Sequence, residues 1–314
     1  MKKTLMLILW IMSIAVGLFA DNPQVLTIKE NGIWKKKGEA IIRTTADAVA
    51  HWDTIELSTE IAADKYYCIS MKVKSSVDTV DNLLAVVSKW NDNYQCVSTE
   101  SYALNTVWSE LFLFFYSGQN SEKVDFVLQC PGAFAQEIII KDIKLNEQKE
   151  SPDNLLPEGG FSADDKYPPL FIFKRVKGQE GLLTCGADES SLTGKSMHLL
   201  PGAGENIISS IALPVIPGKK YKLEMWAKAD QKISARLIVS DWFSPHRNEK
   251  SIGQSKTIAV FPEWKKESLE VSVPADLSEY PDLQARIIKI IIKTTPGAAQ
   301  LWFFGISFSI IGEK

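Results

Sequence analysis

Apolar and polar residues alternate along much of this chain, and residues 217–230 show the pattern most clearly. One set of alternate positions is apolar, with Tyr221, Leu223, Met225 and Ala227, and the other holds Lys222, Glu224, Trp226 and Lys228. Successive side chains of a β-strand point to opposite sides of the sheet, so the alternation predicts a half-buried strand after a Pro-Gly turn. Trp226 would then stand among charges on the outward face of that strand.

Segments of this kind recur at intervals of about ten to fifteen residues, with turn signals such as Pro131-Gly132 and Pro296-Gly297 between them. Residues 287–293 are rich in β-branched side chains, which strands favour. In the second half of the chain the predicted strands are residues 207–213, 221–228, 235–241, 256–260, 265–273, 287–294 and 300–310. Helical periodicity is absent after the N-terminal segment. The prediction is therefore an all-β chain that forms two-sheet β-sandwiches of jelly-roll topology.

The two halves of the chain repeat four short patterns in the same order, which indicates two copies of one domain. The matched segments are residues 63–74 with 217–228, 86–90 with 238–242, 107–110 with 263–266, and 138–145 with 301–308. The first match sets Tyr67 against Tyr221 and Met71 against Met225. A polar stretch between the copies is the natural linker. The predicted domains are residues 21–146 and 153–314, with the linker at 147–152.

Residues 1–20 have the composition of a secretory signal peptide. Lys2 and Lys3 give a positive start, residues 4–19 are apolar, and Ala20 offers a cleavage site. The apolar run is short for a bilayer span, which favours export over an uncleaved N-terminal anchor, the alternative. No cysteine lies near the cleavage point, which argues against a lipoprotein. We expect a secreted or periplasmic protein with no membrane span after signal cleavage.

The charge balance limits the classes of partner. Basic residues number 35 and acidic residues 38, for a net charge of −3, and the basic residues form no block along the sequence. Nucleic acid and anionic membrane surfaces are therefore unfavourable partners. The four cysteines fit no zinc pattern. In an exported chain Cys68 could pair with Cys130 or Cys96, or the thiols could stay reduced and buried, with Cys185 apart from them.

Several segments of the second half resemble a known family. They are the opening at residues 154–162, the Pro-Gly-Lys-Lys-Tyr turn at 217–221, the tryptophan segment at 263–265 and the aromatic close at 300–306. Together they resemble carbohydrate-binding modules of the family 4/9/22 type, the β-jelly-roll modules attached to bacterial glycanases. The resemblance implies a galactose-binding-like β-sandwich that holds poly- or oligosaccharide. The first half lacks the Pro-Gly turn and the Asn-Leu-Leu opening, so it resembles a divergent copy.

The same resemblance raises the question of a structural calcium ion. Such modules often hold calcium between a carboxylate of the opening strand and an aspartate of the last strand, because this hard cation needs several oxygen ligands. Here Ser162 stands in place of the opening carboxylate and Gly305 in place of the aspartate of the last strand, although Asp164 or Asp165 could substitute. In the first half Asp142 occupies the position in the last strand. We predict no metal and no cofactor. The histidines, His51, His198 and His246, show no metal-ligand spacing.

Sugar binding needs aromatic faces beside polar groups that bond the hydroxyls. Trp226 is the first candidate, with packing under a loop as its alternative, and Lys72 replaces it in the first half. Trp242 ends a predicted strand where a polar loop begins, and such loops often carry binding residues or are simply solvated. Trp90 and Tyr94 flank the corresponding loop of the first half. The predicted ligand-binding residues are Trp226, Trp242, Glu224, Asp241, His246, Arg247, Trp90 and Tyr94.

The remaining aromatic residues are predicted to pack in the interior. Trp108 and Trp264 open predicted strands at equivalent places of the two copies. Others sit in apolar runs and should fill the sandwiches: Phe112, Phe114, Phe115, Trp302, Phe303 and Phe304.

No catalytic signature is present, neither a Gly-x-Ser-x-Gly elbow, nor His-Glu-x-x-His, nor a phosphate-binding glycine loop. The first hypothesis is a non-catalytic protein that binds poly- or oligosaccharide, gains avidity from two modules and could assist a separate secreted glycanase. The alternative is an envelope scaffold whose sheet face meets another protein, since sandwiches serve many functions. A glycoside hydrolase or lyase is less favoured. Sugar held by the strand of Trp226 should bind the second half only.

Overall fold

The computed structural model describes residues 27–29, 33–44, 53–90, 94–118, 122–130, 136–148, 154–156, 159–174, 182–202, 206–240, 253–276, 287–295 and 299–312. The predicted signal segment lies outside this part of the chain. Within it, no helix is long and apolar enough to cross a membrane.

The described chain is built of β-strands. In the first half they are β1 Thr27–Lys29, β2 Trp34–Lys37, β3 Ala40–Arg43, β4 Asp53–Ile61, β5 Tyr66–Ser75, β6 Thr79–Trp90, β7 Tyr94–Leu104, β8 Ser109–Tyr116, β9 Glu122–Cys130 and β10 Ile138–Gln148. In the second half they are β11 Phe171–Lys174, β12 Leu182–Ala187, β13 Lys195–Leu200, β14 Asn206–Ser210, β15 Leu213–Pro214, β16 Lys220–Ala229, β17 Ile233–Ser240, β18 Gly253–Val260, β19 Lys265–Ser272, β20 Ile287–Thr294 and β21 Leu301–Ile310.

Each half forms two antiparallel sheets, and the strand order is the same in both. The first half has β1-β4-β9-β6-β7 and β2-β3-β10-β5-β8, and the second has β11-β14-β20-β17-β18 and β12-β13-β21-β16-β19, with β15 added beside β20. The fold is thus two tandem β-sandwiches, as the alternation predicts. We call β2-β3-β10-β5-β8 the first-copy sheet and β12-β13-β21-β16-β19 the second-copy sheet. Position for position, β5 corresponds to β16 and β10 to β21.

Strand β16 shows how the sequence pattern sets the core. Its odd-numbered residues are buried, and Tyr221, Leu223 and Met225 have no exposed surface. The even-numbered residues of the strand are partly exposed or, at Lys220, fully exposed. Tyr221 stacks on Phe308 of the neighbouring β21, with ring centroids 5.1 Å apart. The predicted half-buried strand is confirmed, and its even positions form one side of the second-copy sheet, its outward face.

A β-bulge occurs at the same place in both copies. The pairing of β10 with β5 shifts between Lys141 and Lys144, and that of β21 with β16 shifts beside Trp226. The bulged residues are Asp142, with φ 55°, and Gly305, with φ 58°. Glycine reaches this left-handed region without strain and aspartate reaches it more easily than most residues. The bulge therefore marks the repeat in the backbone as well as in the sequence.

The residues across from each bulge differ between the copies in a correlated way. In the second copy Trp226 Cδ1 lies 3.4 Å from the place that a Cβ of Gly305 would take. In the first copy Lys72 stands at the position of Trp226, and its Nζ lies 3.6 Å from the Asp142 carboxylate. A packed indole in one copy is thus replaced by an exposed ion pair in the other.

The two sandwiches contact each other through a buried ion pair. The Nζ of Lys289 on β20 lies 2.8 Å from the carboxylate of Glu100 on β7, and their side chains are 8% and 1% exposed. The backbone N–H of Ala212 also donates to Glu100, over 2.7 Å. Burial raises the pKa of Glu100, and Lys289 and the Ala212 N–H oppose that rise. The carboxylate is therefore costly to bury and depends on partners from the other sandwich.

A second cluster at this contact involves Asp165, one of the residues proposed as a substitute calcium ligand. Its carboxylate accepts hydrogen bonds from the Ser109 hydroxyl at 2.6 Å, the Asn105 amide at 3.3 Å and the Ser162 N–H at 2.7 Å. Burial nevertheless raises the pKa of Asp165. Two of these donors belong to the first half, so Asp165 serves the contact between the sandwiches.

Some predicted core residues point elsewhere. Trp108 is 40% exposed, whereas Phe115 and Phe303 are fully buried. Phe112, Trp264 and Trp302 are only partly buried. The prediction was wrong for Trp108, Trp264 and Trp302, whereas Phe112 packs against the core and the adjacent Phe114 and Phe115 are both buried. Trp302 points away from the core because successive side chains of a strand face opposite sides. Trp108 and Trp264 precede the first residues of β8 and β19 and so lie outside the alternation.

In the part of the chain that the structure describes, Cys68 forms no disulfide bond. Its thiol is free and buried. Burial raises the pKa of Cys68 above its ordinary value. The reduced, buried alternative therefore holds for this residue.

Candidate functional site

A cleft of about 410 Å³ opens on the outward face of the second-copy sheet. This volume falls in the range of about 300–1,000 Å³ that is typical of small-molecule sites. The lining residues come from four strands and the turn after β12: Thr184, Cys185, Gly186, Ala187, Asp188, Ser196, His198, Lys228 and Trp302.

The register of the sheet brings the wall of this cleft together. His198 is the cross-strand partner of both Thr184 and Trp302, and Trp302 is the partner of Lys228. The His198 and Trp302 rings stack with centroids 4.6 Å apart and planes 5° from parallel. Strands about 4.8 Å apart place side chains of one row at this spacing.

Lys228 continues the row as a cation between two indoles. Its Nζ lies 5.2 Å from the Trp302 ring centroid and 4.7 Å from that of Trp264. Both distances fall within the roughly 6 Å over which an ammonium group is attracted to an aromatic face. We call His198, Trp302, Lys228 and Trp264 the aromatic row.

Trp226 lies in the next cross-strand row rather than in the cleft. It pairs with Phe304, and the two rings are 5.8 Å apart and 2° from parallel. Trp264 meets the same Phe304 edge-on, at 4.6 Å and 79°. Phe304 is consequently only 1% exposed although it points outward, and Trp226 keeps part of its surface exposed. Trp226 thus packs against Phe304 with one part of its ring and leaves another part exposed to solvent.

Glu224, predicted to bond sugar hydroxyls, is engaged by two lysines. Its Oε1 lies 2.9 Å from Lys222 Nζ and 3.1 Å from Lys266 Nζ. The hydrogen bonds from Lys222 and then Lys266 lower the pKa of Glu224. The carboxylate is therefore ionised and balanced by its neighbours.

Asp188 supplies the polar side of the cleft. Partial burial raises the pKa of Asp188, but hydrogen bonds from Ser190 and Ser196 outweigh that effect and the pKa is lowered. Its Oδ1 accepts from the Ser190 hydroxyl at 2.6 Å and the Ser190 N–H at 2.9 Å, and its Oδ2 accepts from Ser196 at 2.7 Å. Lys228 donates to the same Ser190 hydroxyl over 2.6 Å. The carboxylate and the ammonium group are thus fixed through one serine.

Most of the predicted ligand-binding set cannot be placed around this cleft. Asp241, Trp242, His246 and Arg247 lie outside the described residues. The backbones of Trp90 and Tyr94 face each other at the end of the β6–β7 hairpin, and their side chains also lie outside the described part. Of the eight predicted residues, the structure places the side chains of Trp226 and Glu224 alone, on the same sheet face as the cleft.

The sequence did contain a signal for the residues that were missed. Strands β12 and β13 were not predicted, although residues 195–200 alternate, with Met197 and Leu199 buried and His198 outward. Trp302 was assigned to the core with Phe303, its neighbour. A strict period of two applied to both segments would have placed His198 and Trp302 on the outward face.

The first copy lacks this arrangement. By the strand register, Ile42 stands at the position of His198, Ile139 at that of Trp302, and Lys74 at that of Lys228. Trp108 precedes β8 as Trp264 precedes β19. One tryptophan of the row is therefore shared by the copies, while the stacked His198–Trp302 pair belongs to the second copy.

No family model matches the chain, and no curated protein matches it. Similar solved structures exist. The N-terminal CBM22-1–CBM22-2 tandem domain of Paenibacillus barcinonensis Xyn10C is 12% identical, with 94% of this chain and 99% of that chain covered and a TM-score of 0.34. Its CBM22-1 xylan-binding domain alone is 11% identical, with 49% and 93% covered and a TM-score of 0.37.

An enzyme domain is also among the similar structures. The enzymatically active domain of bacteriophage CBA120 tailspike protein 4 is 17% identical, with 51% of this chain and 22% of that chain covered and a TM-score of 0.39. At identities and TM-scores of this size, the matches assign neither a ligand nor an activity to this chain. The structural neighbours of the chain are thus mainly tandem and single carbohydrate-binding modules of β-sandwich fold.

Proposed function

We propose that this chain is a non-catalytic carbohydrate-binding protein, secreted or periplasmic, that holds a neutral oligo- or polysaccharide in the cleft of the second copy. One observation carries the proposal. Of two copies with the same strand order, only the second has the stacked His198–Trp302 pair on its outward face, where the first copy has Ile42 and Ile139. Partly exposed aromatic rings that the fold itself does not require are typical of a ligand surface.

The cleft offers both kinds of group that a sugar needs. The stacked rings of His198 and Trp302, both partly exposed, together supply an aromatic surface for the C–H groups of a pyranose ring. An ammonium group has three N–H donors, and Lys228 directs one of them to Ser190. A carboxylate has about four acceptor sites, and Asp188 uses three of them on Ser190 and Ser196. Donor and acceptor capacity for sugar hydroxyls therefore remains beside the ring.

The described lining favours binding over hydrolysis. Most glycosidases place two carboxyl groups about 5–9.5 Å apart across the scissile bond. Asp188 is the one carboxylate among the lining residues, and its pKa is lowered, which is unsuited to a general acid.

The test is calorimetry or affinity electrophoresis of the whole mature chain on soluble neutral polysaccharides, xylan and β-glucan among them. Trp302→Ala should weaken binding about five- to thirty-fold, the loss expected for one stacked ring of about 1–2 kcal/mol. Trp108→Ala is the matched control, because it removes an exposed tryptophan from the first copy. His198→Ala should also weaken binding, since it removes the ring that holds Trp302 in place.

Trp226→Ala tests the earlier hypothesis: a loss equal to that of Trp302→Ala would extend the ligand over both rows. Thermal unfolding of each variant separates lost binding from lost folding. If the wild-type chain binds no polysaccharide, or if Trp108→Ala costs as much as Trp302→Ala, the proposal is wrong. The protein-interaction scaffold would then be the better hypothesis.

A further inference from the structure

The outward face of the first-copy sheet is strongly cationic. Six lysines project from it: Lys35, Lys37, Lys72, Lys74, Lys141 and Lys144. Asp142 and Glu110 also project from this face, and Glu137, one residue before β10, continues its alternation, so lysines exceed these three carboxylates by three. The chain as a whole has a net charge of −3. We call these six lysines the lysine face.

The register of the sheet places some of these lysines next to each other. Lys141 is the direct cross-strand partner of Lys72, and Lys74 lies two residues along the same strand. Like charges directly opposite each other destabilise a sheet. Lys72 is partly compensated by Asp142 at 3.6 Å. The ammonium groups of neighbouring lysines therefore repel each other, and a bound polyanion would reduce that repulsion.

An exposed tryptophan at the edge of this sheet lies against two residues of the lysine face. Trp108 is 40% exposed, with Lys141 Nζ at 4.3 Å and Lys74 Nζ at 5.8 Å from its ring centroid. Two ammonium groups thus approach one indole ring, and each keeps N–H donors for an anion. The ring also offers an apolar surface next to the positive charges.

We infer that the lysine face with Trp108 binds an anionic polysaccharide whose sugars carry carboxylates. Carboxylates match the excess of ammonium donors, and the exposed indole matches the C–H face of a sugar ring. Single-stranded nucleic acid stacks successive bases on several exposed aromatic side chains. On the described face Trp108 is the one exposed aromatic residue, because Phe112 and Tyr66 are partly buried and Phe114 and Tyr116 are buried. This site is separate from the cleft of the second copy and does not depend on the function proposed for it.

The test uses the whole mature chain and polygalacturonate, with fully methyl-esterified polygalacturonate as the uncharged ligand. Binding is measured by calorimetry at low salt and again at 0.3 M NaCl. The double variant Lys74→Gln/Lys141→Gln should weaken binding of polygalacturonate about five- to thirty-fold, since each exposed charge contributes modestly. Lys219→Gln/Lys220→Gln removes the same charge from the second half and should leave binding within about twofold.

Four further results are expected. Salt should weaken binding of polygalacturonate, because exposed charges are screened. Trp302→Ala should leave polygalacturonate binding unchanged, and Lys74→Gln/Lys141→Gln should leave neutral-polysaccharide binding unchanged, so failure of one site is distinguished from failure of the other. Trp108→Ala should weaken polygalacturonate binding without removing charge.

Four outcomes would overturn the inference. The esterified polymer could bind as tightly as the acid form, or the control lysine pair could matter as much as Lys74 and Lys141. Single-stranded DNA could bind through the same lysines more tightly than polygalacturonate, which would assign the face to nucleic acid. Absence of polygalacturonate binding at low salt would also refute it.

Discussion

Replacing Glu100 by glutamine should destabilise the protein by about 3–5 kcal/mol, because it leaves the Lys289 ammonium buried without this carboxylate. The two charges are 2.8 Å apart, which corresponds to ~6 kcal/mol of attraction at an effective dielectric constant of about 20. Desolvation of two nearly buried ions, several kcal/mol each, offsets most of it. The net value of the pair is therefore small, while the cost of removing one partner is large.

The double variant Glu100→Gln/Lys289→Met should return to within about 1–2 kcal/mol of the wild type. Its glutamine can still accept the Ala212 N–H bond, and no buried charge remains. The loss of stability caused by Lys289→Met alone should depend on pH. Burial already raises the pKa of Glu100, so its protonated form favours the folded state; that stability is present below the ordinary value of about 4.3 and is lost as the pH rises through the raised pKa.

The assay is urea unfolding of the four proteins of this cycle at pH 7 and pH 5, followed by tryptophan fluorescence and circular dichroism, with slopes compared as well as midpoints. The Lys289→Met defect should shrink at pH 5, and the Glu100→Gln defect should not. Lys166→Met is the matched control, since Lys166, which is exposed, forms an ion pair of 3.6 Å with the partly exposed Asp78 between the same two sandwiches. It should cost less than about 1 kcal/mol. Equal costs for Glu100→Gln and Lys166→Met would refute the reasoning.

The other predictions concern the bulge, the cleft and the two binding faces. Gly305→Ala should lower the free energy of unfolding in urea by roughly 1–2 kcal/mol, because φ at this residue is 58° and the new Cβ would lie 3.4 Å from Trp226. Gly312→Ala is the control and should leave the stability unchanged, because the space around Gly312 is open. Equal losses of stability in the two variants would contradict this prediction. The lowered pKa of Asp188 contributes stability that is present above about pH 3.9 and is lost as the pH falls further. Asp188→Asn should therefore make the thermal unfolding temperature fall less steeply between neutral and acid pH. An unchanged pH dependence would contradict this prediction. Trp302→Ala should weaken binding of neutral polysaccharide, and Lys74→Gln/Lys141→Gln binding of polygalacturonate, each in calorimetry with its control described above.

Sequence periodicity predicted the fold better than the site. The alternation in β16 correctly placed Tyr221 inward and Trp226 outward, because it is a local property of an extended chain. The repeat between the halves anticipated a common strand order, and the equivalent positions of Asp142 and Gly305 reappear as matching bulges. Trp302 was predicted to be buried because it stands in a consecutive aromatic run, although the period of two places it outward.

The candidate site was predicted only in part. Glu224 was expected to contact ligand, yet Lys222 and Lys266 engage its carboxylate. Lys222 is two residues away in the same strand and could have been anticipated. Lys266 comes from β19 through the register of two strands that are distant in sequence. No local pattern reports such a register.

The sequence by itself determined which residues face outward where a strand was predicted from its alternation, as in β16, and that two copies of one sandwich follow each other. Only the tertiary structure decided which outward residues meet. His198, Trp302 and Lys228 come from three strands and form one row because β21 lies between β13 and β16. The lysines at 35, 74 and 141 form no block along the chain, yet the same sheet order gathers them on one face. Side-chain direction follows from the local backbone, whereas strand order and register depend on packing of the whole core.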